Sequence, residues 1–124
     1  MTKEEIAIFL KVQPKLKTTH EEMSILSKKN PNDAINKFKL KLVNSMIAEA
    51  NSILQSTYKP FDDFTLFSED DVPSNSDVVF ILSPYLRSLE KLRRDNIDYE
   101  MGTCYWKVNG SLDRSLKADS PAIR

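Results

Sequence analysis

Residues 74–94 read SNSDVVFILSPYLRSLEKLRR. The fold turns on whether VVFIL is a strand ended by Pro84 or the first turns of a helix that runs through it. At about 100° per residue from Val78, Leu82 falls at about 40°, Tyr85 at about 340°, Leu89 at about 20° and Leu92 at about 320°. The apolar stripe stays in phase across the proline, which one helix requires and two unrelated elements would share only by accident. Ser76 can cap the start, Asp77 suits the positive amino end, and Lys91, Arg93 and Arg94 suit the negative carboxyl end. The proline costs about 3 kcal/mol through a lost hydrogen bond and a kink. Burial of each large apolar side chain in the stripe stabilises by about 1.5–3 kcal/mol. The expectation is a helix over 77–95, kinked at Pro84. The alternative, an α+β fold with a short strand at 78–82, needs partner strands that only FTLF (64–67) and TCYWKV (103–108) offer.

Upstream, residues 28–60 read KKNPNDAINKFKLKLVNSMIAEANSILQSTYKP. Asn30 can cap and Pro31 suits a first helical position, so a long central helix is expected over 31–57. Ile35, Leu42, Val43, Met46, Ile47, Ala50, Ile53 and Leu54 share one broad side; Lys37, Lys41, Asn44, Asn51 and Gln55 take the other. Lys59-Pro60 ends it. Nearer the amino terminus, Thr2 and Glu5 have capping-box spacing, as do Thr19 and Glu22. Pro14 separates them, and the reading is two short helices divided there.

Beyond Asn96 the pattern changes. Ile97, Tyr99 and Met101 alternate with acids, and Cys104, Trp106 and Val108 alternate with Thr103, Tyr105 and Lys107, as in a β-hairpin turning at Gly102-Thr103 or at Asn109-Gly110. A lone hairpin is marginal in water, so it must lie on the helices or on a partner. Residues 111–124 are polar and read as a helical turn or a flexible tail. The fold class expected is mainly α: about four helices with a small carboxyl-terminal β-hairpin-like element, in a single domain spanning 1–124.

Composition narrows the function classes. Of the chain, 40% is hydrophobic and 29% charged, which suits a globular protein. The 18 basic and 18 acidic residues cancel, which argues against a dedicated nucleic-acid binder. Their placement is uneven: residues 1–60 carry ten Lys and six acids (+4), residues 61–124 eight Lys/Arg and twelve acids (−4). A basic and an acidic half suit each other, within one chain or between chains. A single cysteine, Cys104, allows no internal disulfide and suggests a reducing, cytoplasmic setting. The first residues, MTKEEIAIFLKVQPK, do not read as a signal peptide, and no apolar run approaches the roughly 20 residues of a membrane-spanning helix.

Catalytic signals are weak. His20 is the only histidine and stands beside Glu21 and Glu22 without an evident partner. Cys104, in an aromatic stretch, reads as a buried structural thiol. Zinc is disfavoured for want of ligands, no glycine-rich phosphate loop exists, and no cofactor is expected. Asp62, Asp63, Glu69, Asp70 and Asp71 could hold a hard cation, yet their spacing matches no calcium loop. The stronger signals are for contact with protein. Lys39 falls inside the apolar arc of the long helix, where it either snorkels past the core edge or meets an acid of 61–71 or of another chain. Tyr99, Tyr105 and Trp106 are the residue types of interface hot spots.

The function expected is a small protein–protein interaction domain without catalysis of its own, a homodimer or an accessory subunit. Its contact residues would be Lys39, Phe61, Asp62, Asp63, Phe64, Phe67, Tyr99, Tyr105 and Trp106. The alternatives are nucleic-acid binding through Lys28, Lys29, Lys37 and Lys41, which the neutral total disfavours, and a metal-dependent enzyme using the acidic segment.

Overall fold

The computed structural model describes residues 1–119. Three helices precede a three-stranded sheet: α1 Lys3–Lys29, α2 Lys37–Tyr58, α3 Asn75–Asp95, β1 Ile97–Glu100, β2 Thr103–Val108 and β3 Ser111–Lys117. The fold is therefore α+β, with three helices where about four were expected.

The helix through Pro84 forms, and 78–82 is not a strand. Val78, Leu82, Tyr85, Leu89 and Leu92 are all buried. The carbonyl that the proline leaves without a partner belongs to Phe80, which is 72% exposed, so water can replace the lost bond. The cap is Ser74, two residues earlier than expected. Asp77 N–H donates to Ser74 Oγ at 3.1 Å and Ser74 N–H to Asp77 Oδ2 at 3.0 Å, a reciprocal pair that satisfies two free donors at once.

The same physics corrects the reading of Pro14. Helix α1 runs through it as one 27-residue element. Phe9, Val12, Leu16 and Met23 hold one phase across the proline and are buried, while Leu10, whose carbonyl loses its partner, faces solvent. Thr2 and Glu5 form the capping box. Thr19 caps nothing; its hydroxyl donates to Met46 Sδ at 3.6 Å.

Helix α2 begins at Lys37 rather than at Pro31. Residues 31–36 are committed elsewhere: Ile35 N–H donates to Pro73 O, Asn75 N–H to Asp33 O and Ser76 N–H to Pro31 O, at 2.9, 2.9 and 3.1 Å. Those bonds replace a first helical turn, and Asn36 takes the cap, accepting from Phe38 N–H and Lys39 N–H.

The sheet is antiparallel in the order β1-β2-β3. Ile97 pairs with Trp106 and Glu100 with Thr103 on one side of β2; Lys107 pairs with Leu112 and Val108 with Ser111 on the other. The Asn109-Gly110 turn forms as expected, while the first turn lies one residue earlier than Gly102-Thr103, because Thr103 already pairs with Glu100. Met101-Gly102 has φ values of 50° and 82°, Asn109-Gly110 of 51° and 83°, the left-handed pair that a two-residue hairpin loop demands. Residues 111–117, expected as a helical turn or a tail, form the third strand instead; positions 120–124 of that stretch lie outside the described residues. The sheet packs on α1 through Trp106, whose ring meets Phe9 edge-on at 5.1 Å. Asn109 N–H donates to Met1 O at 2.9 Å, tying the β2–β3 turn to the chain start.

Candidate functional site

The expected contact residues separate into three groups. Phe61, Phe64 and Phe67, in the 59–74 connection, are half-buried against the core. Phe64 meets Phe61 at 6.1 Å and Phe67 at 5.1 Å, and both Phe61 and Phe64 reach Tyr85 at 6.5 and 6.4 Å. They anchor the connection inward. Asp62 and Asp63 between them are exposed. Tyr99 is exposed, Tyr105 half-buried and Trp106 fully buried, so Trp106 could meet a partner only if the sheet came away from α1. Lys39 is exposed and forms no ion pair among the described residues. The acids Glu69 and Asp70 line a cleft together with Lys37 and Lys41.

Two asparagines fix the connection. Asn44 Nδ2 donates to Phe67 O at 2.9 Å while its Oδ1 accepts from Phe67 N–H at 3.0 Å. Asn51 Nδ2 donates to Thr65 O at 2.9 Å and its Oδ1 accepts from Tyr85 Oη at 2.7 Å. Both stand about 80–100° around α2 from the buried Val43–Leu54 line. A solvent-facing helix side expected from the sequence is thus the seat of a 16-residue connection.

The opposite flank of α2 is the one left open. Leu42 and Met46, expected in the core, stand about 60–100° to the other side of that line. With the second half of α1 they enclose an apolar groove of about 410 Å³. Met23 and Val43 make its buried floor, and Leu26 and Met46 are half-buried in its walls. On its rim Ile25 is 60% exposed, Phe38 70% and Leu42 49%. The groove continues past Thr19, Leu42 and Met46 into a second depression of about 540 Å³ that reaches Pro14 and Glu49. From Pro14 to Lys29 along α1 this is about 22 Å of helix. Lys29 and Lys39 stand at one mouth, with Glu22 on the wall. The sequence signal for it was present in Ile25 and Phe38, which sit on the helices but off the buried stripes; Leu42 gave none, since its phase matches the core side.

Elsewhere, His20 offers its carbonyl to Ser24 Oγ at 2.7 Å, and Cys104 is a buried free thiol, as expected. Among the described residues no group of three or more His, Cys, Asp or Glu side chains could hold a metal ion, and no helix is long and apolar enough to cross a membrane. The arrangement offers an apolar trough with lysines at one end, which suits docking of a folded apolar element. Comparison with known protein families, with curated proteins and with solved structures finds no match.

Proposed function

We propose that the chain is a protein-binding module whose α1/α2 groove receives an apolar element of a protein partner. What supports this is the alignment of Ile25, Phe38 and Leu42, three large side chains held in water along one trough with an apolar floor. Covering them would remove apolar surface from water, the main driving force of association. The contact surface is thus shifted from the one expected: Lys39 remains at its edge, while Phe61, Phe64 and Phe67 are fasteners of the fold and Trp106 belongs to the core.

Photo-crosslinking in the cells that make the protein tests this. A photoreactive residue at position 42 should join the chain to one specific protein, and the same residue at the exposed position 87 on α3 should not. Equal products from both positions, or none from position 42, would refute the groove as a docking site.

A further inference from the structure

The Met101-Gly102 turn holds the observation that bears on what fills the groove. Met101 adopts φ 50°, where an L side chain other than Asn, Asp or Gly is strained. The second turn of the same sheet meets the same requirement with Asn109, the residue such a loop favours. Met101 is moreover 98% exposed, so neither contacts within its own chain nor turn chemistry accounts for a long apolar side chain there. Tyr99, also exposed, precedes it on β1.

We propose that the β1–β2 turn of a second copy is the occupant of the α1/α2 groove, with Met101 as the entering side chain. This rests on the groove being a docking site. Methionine is flexible and polarizable, fills irregular apolar space and packs well on aromatic rings; the groove presents Met23, Met46 and the Phe38 ring. Charge favours the same pairing. On β1, Asp98 is exposed and Glu100 borders the turn, paired with Arg114 through both carboxylate oxygens at 2.7 and 2.8 Å, while Lys29 and Lys39 stand at the groove mouth. The tip comes from the half of the chain with net charge −4 and the groove from the half with +4. The contact is head-to-tail: each copy offers one tip and one groove, so association continues beyond two copies or closes as a ring. A hairpin tip covers little area, which places the contact among the weak, concentration-dependent ones.

Sedimentation of the full chain over a wide concentration range tests this with two variants. Phe38→Asp spoils the groove at an exposed position. Met101→Asn spoils the tip while suiting the turn, so its melting temperature should rise as its association falls. The wild-type mean mass should grow with concentration, and each variant should weaken association about tenfold or more, the effect of losing a hot-spot side chain. A 1:1 mixture of the two should form a heterodimer and stop there, because it holds one intact tip and one intact groove per pair. Ile25→Asp serves as a second groove variant should Phe38→Asp melt early. A wild type that stays monomeric, a mixture that stays monomeric, or a Met101→Asn variant that associates like wild type would overturn the proposal. If position 42 still crosslinks to a different protein in any of those cases, the occupant is wrong and the groove reading stands; if it crosslinks to nothing, both fail.

Discussion

At the scale of single residues, the structure depends on polar side chains placed to answer particular buried groups. Asn51 uses both of its side-chain atoms, one for the Tyr85 hydroxyl and one for the Thr65 carbonyl. Asn51→Ala would leave a buried hydroxyl without an acceptor and should cost about 1–3 kcal/mol in urea unfolding. Tyr85→Phe placed on top should recover part of that loss; no recovery would mean that Asn51 acts through the connection alone. Tyr58 Oη donates to Asp95 Oδ2 at 2.6 Å. That bond chiefly holds the Asp95 carboxyl below its ordinary range and the Tyr58 hydroxyl above its own. Its contribution is therefore complete above the unfolded carboxyl value of about 4 and fades as pH falls through the lowered one. It persists below about pH 10 and fades as pH rises through the raised tyrosine value. Because the pair lies near the surface, Tyr58→Phe should cost under about 1 kcal/mol at pH 7, and denaturant unfolding should show that cost shrinking below about pH 4.

At the scale of elements, in-phase stripes decide what prolines do. Residues 78–92 were legible because Val78, Leu82, Tyr85, Leu89 and Leu92 could be checked across Pro84. The same test across Pro14, using Phe9, Val12, Leu16 and Met23, carries α1 through its proline as well. Pro14 is itself exposed, so Pro14→Ala restores a hydrogen bond to a continuous helix and should raise stability by about 1–3 kcal/mol. An unchanged or lower midpoint would mean that the helix is effectively broken there. The start of α2 was not legible, since Asn30-Pro31 is a good local helix signal that loses to bonds with residues 73–76, more than 35 positions away. β3 was missed for a related reason: SLDRSLK pairs through its backbone and through Arg114 to Glu100, and only Leu112 and Leu116 supply the strand an apolar face. Replacing Met101 with Asn at the β1–β2 turn should raise stability by about 0.5–1 kcal/mol, read from the thermal midpoint.

At the scale of the whole molecule, α3 and the sheet take up one side of the α1/α2 pair and the 59–74 connection takes the outer flank of α2. The remaining flank keeps its apolar side chains in water. Sequence periodicity could say that Leu42 and Met46 lie on an apolar side of α2, but not which neighbour would fail to cover them. That depends on Asn44 and Asn51 drawing the connection to the opposite flank. The most direct measurement is a dilution series followed by backbone amide chemical shifts of the uniformly labelled chain. Concentration-dependent shifts are expected in two patches, one at Ile25, Phe38 and Leu42 and one at Tyr99, Met101 and Gly102, fading together on dilution. Shifts centred on exposed Phe80 of α3, or none at any concentration, would contradict the contact between turn and groove.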